Sequence, residues 1–231
     1  MKLASLISGG KDSLYAAYLA KKAGHSVELL LGMVSENKES YMFHTHNLHL
    51  LETIAGLTKT PLITGTTKGV KEEELADLKI LISKIKGKAE GITTGAIASN
   101  YQKQRIDKIC EELGVQSIAP FWGRNPEEVL REMLANGFEI IIVAVAAPPL
   151  DEKWLGRKID EKCIDELVQL NKKYGIHIQG EGGEYDSLVT ACPLYNRKKI
   201  IIEESENHWD AKTKSGALEI KKIKVISADS F

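Results

Sequence analysis

Apolar and polar positions switch between two periods along the first half of the chain. Leu3-Ala4-Ser5-Leu6-Ile7 is a short apolar run, after which Leu14, Ala17, Tyr18 and Ala20 recur at helical spacing. Residues 27–34 are almost continuously apolar, as a strand covered on both faces of a parallel sheet would be. The pattern then predicts a helix over about 46–57, a short strand over 61–63, and a helix over 71–86 with Leu75, Leu78, Ile82 and Ile85 on one face and a stop at Gly87. A strand over 91–94, a helix over 101–113 ending at Gly114 and a strand over 116–119 follow. This strand–helix alternation predicts an α/β fold, a doubly wound parallel sheet with right-handed crossovers, whose ligands bind at the carboxyl ends of the strands.

The pattern breaks at Pro120-Phe121-Trp122-Gly123-Arg124-Asn125-Pro126. A helix over 127–136, a strand over 139–145, a helix over 160–174 and strands over 176–178, 187–191 and 199–203 come next. The tail from Gly216 alternates as Leu218, Ile220, Ile223 and Val225 and predicts an edge strand. Two domains are expected, 1–122 with the parallel sheet and 123–231 as a smaller C-terminal α+β domain. The sequence shows no internal repeat and no low-complexity linker.

Composition narrows the function less than the pattern does. The 231 residues are 43% hydrophobic and 27% charged, ordinary for a globular protein, and the formal net charge is −1. That balance argues against wrapping nucleic acid by bulk electrostatics, and Lys68, Lys71, Lys84, Lys86 and Lys88 read as the solvated face of a helix and its exit loop. No apolar stretch predicts a membrane span or a leader peptide, so a cytoplasmic protein is expected. Cys110, Cys163 and Cys192 form no C-x-x-C pair; all three are expected as core residues.

The chemistry concentrates in Ser8-Gly9-Gly10-Lys11-Asp12-Ser13, between the first strand and the first helix. Backbone N–H groups and the positive helix end converge at such a turn, two glycines allow close approach, and Lys11 with the serine hydroxyls adds donors. The turn is built for phosphate. It fails the Walker A pattern, because Ser5 stands where the first glycine would fall and Asp12 replaces the magnesium-binding hydroxyl. Asp12 itself reads either as a cap of the first helical turn or, less favoured, as a magnesium ligand.

A second candidate is Gly180-Glu181-Gly182-Gly183-Glu184-Tyr185-Asp186-Ser187, a glycine turn crowded with acids. Such acids can hold magnesium, orient an amine nucleophile or act as a base, and composition does not choose among these. His44, His46 and His49 include an H-x-H pair, read here as polar lining rather than a metal site; His44, Asn47 and His49 are the pocket candidates. His25, His177 and His208 read as surface or loop histidines.

Ser8–Ser13 resembles the PP-loop of the ATP pyrophosphatases. Together with Glu90-Gly91-Ile92, Gly95-Ala96-Ile97-Ala98-Ser99-Asn100-Tyr101-Gln102, Trp122-Gly123-Arg124-Asn125, Leu130-Arg131-Glu132-Met133, the Gly180–Tyr185 loop and Cys192-Pro193-Leu194, it resembles the diphthine–ammonia ligase family over about residues 1–205. Asn100 departs from the aspartate of many members, and the chain resembles a minimal archaeal form without the extra domains of some eukaryotic members. The resemblance implies ATP as substrate with Mg2+, and amidation of the diphthine carboxylate of elongation factor 2 by ammonia through an acyl-adenylate, releasing AMP and pyrophosphate. It implies ATP binding by Ser8, Gly9, Gly10, Lys11, Asp12, Ser13, Met33, His44, Gly95 and Ala96, and catalysis by Lys11, Asp12, Glu181 and Glu184. Asn100, Tyr101, Arg105, Gly182, Gly183, Tyr185 and Asp186 are then expected at the acceptor substrate, with the second loop reaching the α-phosphate across an interdomain cleft. A PP-loop enzyme adenylating a tRNA base or a small carboxylate, or a non-catalytic ATP sensor, are the other classes, and a homodimer stays open.

Overall fold

Chain contacts divide the protein into two compact units, Met1–Trp122 and Gly123–Phe231. The computed structural model describes residues 1–36, 47–70, 72–146 and 148–228. His44 and His46 lie outside the described residues, and the helix expected over 46–57 begins only at Leu51, after a 3-10 turn over Leu48–Leu50.

In the first unit five strands, β1 (Lys2–Leu6), β2 (Ser26–Ser35), β3 (Leu62–Thr67), β4 (Gly91–Thr93) and β5 (Gln116–Ile118), form one sheet in the order β3-β2-β1-β4-β5. Every pairing is parallel, with Leu3 opposite both Val27 and Gly91. Between them run helices α1 (Lys11–Lys22), α2 (Leu51–Thr58), α3 (Glu73–Ser83) and α4 (Asn100–Leu113). Alternate strand residues face opposite ways. Ala4, Leu29, Leu31, Met33 and Ile92 join Leu78, Leu81 and Ile82 of α3 and Ile106, Ile109 and Cys110 of α4 in one core. On the other face a Cβ on Gly32 would meet Leu51 of α2 at 2.8 Å. Helices therefore flank both faces, as the apolar strand runs require.

The strand order reverses at β1, whose neighbours are β2 on one side and β4 on the other. A crevice at the carboxyl ends of β1 and β4 is the position where open α/β sheets take ligands. Local ends depart from expectation, most plainly in α3 and β3. α3 stops at Ser83, and Gly87 with φ +76 closes the turns that follow it. β3 runs on to Thr67, because its whole length is paired with β2. α4 matches its pattern more closely: the Ser99 hydroxyl accepts from Gln102 N, and Gly114 with φ +68 ends the helix.

In the second unit α5 (Pro126–Ala135) and α6 (Glu161–Tyr174) accompany β6 (Glu139–Val145), β7 (Tyr185–Ala191), β8 (Lys198–Asp210) and β9 (Ser215–Ser227). The strands are antiparallel and close into a barrel in the order β6-β7-β8-β9. The tail is therefore not an edge strand. β9 pairs with β8 along its length and with β6 at Ala217 and Gly216. Residues 176–178 are not a strand either, since the His177 N–H and carbonyl are used within a turn. Asn125 caps α5 by accepting from Glu127 N and Glu128 N, and Asp160 caps α6 by accepting from Cys163 N. Among the described residues no helix is long and apolar enough to cross a membrane.

Candidate active site

The turn after β1 delivers Ser8 to Ser13 to the carboxyl end of the sheet. Gly9 has φ +84, a conformation that favours glycine, and Gly10 occupies the N-cap of α1. The cap position thus falls to Gly10 rather than to Asp12, which sits inside the first turn where its charge complements the helix dipole. The serines lock the turn. Ser8 N donates to Ser13 Oγ at 3.2 Å, Ser13 Oγ donates to Gly10 O at 3.0 Å, and Gly10 N donates to Ser8 Oγ at 3.4 Å. Their hydroxyls shape the loop from within, a role the sequence did not assign them.

Lys11 is 2% exposed, yet its Nζ donates to Asp12 Oδ2 at 2.8 Å. A buried ammonium needs such a partner, because an unpaired buried charge costs several kcal/mol. The two residues at the loop's centre thus hold each other in place. Gly95, in the turn after β4, packs directly against them. A Cβ there would lie 2.5 Å from the Asp12 carbonyl carbon and 2.7 Å from Ser13 N. Ala96 beside it is 6% exposed. Met33 points into the apolar core with Leu81, so its side chain belongs to the sheet's packing.

Asn100, Tyr101 and Arg105 share the first turns of α4, and the fold adds a residue that sequence reading missed. Glu72 accepts from Tyr101 Oη at 2.9 Å and from Arg105 Nη2 at 2.7 Å, while the guanidinium lies 3.3 Å above the Tyr101 ring. Partial burial and the bond to Glu72 raise the Tyr101 phenol's pKa, and the same carboxylate raises that of Arg105. Buried Arg105 Nε has no hydrogen-bond partner among the described residues.

The second unit holds the glycine-rich loop between α6 and β7. Gly180 N donates to His177 O and Gly183 N to Gly180 O, both at 2.9 Å, so the chain folds back twice. Gly180 has φ +74 and a Cβ there would meet Tyr185 O at 2.7 Å. Tyr185 is 3% exposed and its hydroxyl donates to Ile178 O at 2.8 Å, which places this expected substrate residue beneath the loop. Tyr185 and Asp186 begin β7 instead of lying in the turn. Gly182 and Gly183 are exposed and Glu181 is half-buried at the tip. Glu184 is buried: Oε1 accepts from His177 N at 2.7 Å, and Oε2 has no partner among the described residues.

Elsewhere, Glu206, His208 and Glu219 converge on the exposed β8–β9 ladder, where Lys221 Nζ already meets Glu219 Oε1 at 2.6 Å. That group forms an ion-pair cluster.

Comparisons with known proteins cover both units. Residues 1–117 match the family described as diphthamide synthase N-terminal domain, and residues 125–226 that described as diphthamide synthase C-terminal domain. The chain is 38% identical over 227 residues to a diphthine–ammonia ligase of Homo sapiens, covering 89% of this chain and 84% of that protein. It is 35% identical to a diphthine–ammonia ligase of Danio rerio, covering 89% and 88% of the two chains. A third, from Schizosaccharomyces pombe, is 33% identical over 89% of this chain and 37% of its own length.

Proposed function

The chain belongs to the diphthamide synthase family, and on that premise we propose that it amidates the diphthine carboxylate of elongation factor 2. It is an ATP-dependent ligase. A diphthine carboxylate oxygen attacks the α-phosphorus of ATP, the bond from that phosphorus to the bridging oxygen breaks, and pyrophosphate leaves. Ammonia then attacks the acyl carbon of the adenylate, AMP departs with the bonding electrons, and the nitrogen sheds a proton to give the amide.

Charge builds on the departing pyrophosphate, so donors already aimed at it lower the barrier more than they tighten substrate binding. The Gly9–Ser13 turn and the Lys11 ammonium are assigned that work, with Ser8 and Ser13 fixing the turn and Gly95 and Ala96 forming its wall. Arg105 and Tyr101 are assigned to the acceptor, supported by the guanidinium Nε that has no partner among the described residues. Glu181 and Glu184 are assigned to the amidation half-reaction, supported by the buried Glu184 oxygen that has no partner among the described residues. Mg2+ belongs with the phosphates of ATP. Asp12 does not fit as its protein ligand, because Lys11 Nζ sits 2.8 Å from Oδ2 and an ammonium there repels a divalent ion. With elongation factor 2 as its substrate, the enzyme works in the cytoplasm.

The observation that carries this function is the family match across both units. Enzyme, ATP, ammonium and elongation factor 2 bearing diphthine should yield a modified histidine lighter by about one mass unit, the difference between OH and NH2 on one carbonyl carbon. An unmodified factor, with ATP consumed by a tRNA or a small acid instead, overturns the choice of acceptor. ATP binding without AMP formation overturns catalysis altogether.

A further inference from the structure

We infer that His177 is a positioning residue whose imidazole Nδ1 clamps the main chain of the glycine-rich loop for the amidation reaction. The inference rests on the function proposed above. The loop must turn sharply over residues 177–184 while presenting exposed glycines, and glycines lose the most entropy on ordering. Something must hold it.

His177 holds it from three sides. Its Nδ1 accepts from Gln179 N at 3.2 Å and from Glu181 N at 3.4 Å. Its own N–H donates to Glu184 Oε1 at 2.7 Å, and its carbonyl accepts from Gly180 N at 2.9 Å. One residue therefore ties together the start, the tip and the end of the turn. Asparagine and aspartate side chains commonly accept from the N–H two residues on, forming an Asx-turn. Here an imidazole occupies that role and reaches the i+4 N–H as well.

The chemistry of the ring sharpens the inference. A neutral imidazole has one donor and one acceptor nitrogen, and imidazolium has two donors. Accepting two N–H groups at Nδ1 therefore requires a neutral ring with its proton on Nε2. The residue that matters is one with an acceptor at the Nδ1 position. Asparagine places its Oδ1 there, whereas glutamine reaches the Nε2 position instead. Displacing the loop by about 1 Å is enough to cost a reaction about 100-fold.

Two measurements test this. Nitrogen-15 NMR of histidine-labelled protein at about pH 8, above the ordinary imidazole range, with the His177 signal assigned by its loss in His177→Asn, is expected to show the Nε2–H tautomer. An Nδ1–H tautomer overturns the clamp whatever the acceptor substrate is. In the amidation assay, His177→Gln and His177→Ala are expected to lower kcat about 10- to 100-fold with KM for ATP nearly unchanged, and His177→Asn to stay within about threefold of the parent. Equal loss in Asn and Gln, or no loss in either, overturns the positioning role. If the parent enzyme forms no amide at all, the proposed function fails while the tautomer still reports on the clamp.

Discussion

Gly95 and Asp12 touch through their backbones: a Cβ on Gly95 would stand 2.5 Å from the Asp12 carbonyl carbon and 2.8 Å from its oxygen. The contact joins the turn after β4 to the first turn of α1, the two loops on either side of the strand-order reversal. Helix α1 starts where it does because nothing larger than hydrogen occupies that point. The phosphate turn is thus fixed by packing as well as by its own serines.

Substituting Gly95→Ala should therefore push the start of α1 away from the sheet. Backbone cannot yield as a flexible side chain can, so the expected outcome is ATP affinity lower by at least about tenfold, about 1.4 kcal/mol. Calorimetric titration of ATP checks it, with circular dichroism to show that the fold persists. Unchanged affinity would mean that the loop tolerates the shift and is not set by this contact.

The sheet was legible because buried parallel strands are apolar throughout and their helices carry clean stripes, as in residues 27–34 and 101–113. The far half of β8 gave no such signal. Glu204, Ser205, Glu206, Asn207 and His208 are exposed on both faces, and the register from Ser205–Ile220 to Asp210–Ser215 is held by the main-chain ladder. Ile176 and Ile178 misled for the opposite reason: both are buried, which mimics a strand, although the backbone between them is spent on the loop. At the site, the glycines and lysine of the phosphate turn are adjacent in sequence and could be read directly. Glu72 and Arg105 stand 33 positions apart, and only the fold brings them together. His177 lies in a loop as its sequence predicts, but nothing in its neighbours announces an imidazole acting as a turn acceptor.

Products should separate this enzyme from a γ-phosphate hydrolase. Chromatography of turnover mixtures should show AMP and pyrophosphate and no ADP. Lys11→Ala is expected to slow turnover about 10²- to 10³-fold, the usual cost of one preorganised donor. Because Lys11 also neutralises Asp12 in a buried setting, the variant's melting temperature should fall too. A lower melting temperature with near-parental turnover would reduce Lys11 to a structural partner of Asp12.

The thiols should be silent in the folded protein. Burial pushes Cys110 and Cys163 up from 9.0 to about 11, and the thiolate is the reacting form. Cys192 is buried as well. At about pH 8, below the ordinary thiol range, a thiol reagent should label the native protein slowly and all three cysteines rapidly in denaturant. The native state keeps its protons where the unfolded chain loses them, so the thiols' contribution to stability should be whole below pH 9.0 and be lost as pH rises toward about 11. Urea midpoints across that window check the sign, and Cys110→Ala should soften the fall. Rapid labelling of the native protein would contradict the packing of these residues.

Removing Glu184 should separate the two half-reactions. Its Oε1 is bound by His177 N, and its buried Oε2 has no partner among the described residues, so the side chain both braces the loop and offers a lone pair. Glu184→Gln keeps the shape and an oxygen that can accept from His177 N, but it loses the charge and the basicity. Glu184→Ala loses all of these. If the carboxylate handles ammonia or its proton, both variants should fail to form amide, by about 10²-fold or more, while ATP binds with parental affinity. If the carboxylate only braces the loop, Glu184→Gln should retain amidation and Glu184→Ala should lose it. Loss of ATP binding in Glu184→Ala would assign the loop to the nucleotide, and the division of labour proposed for the two units would then be wrong.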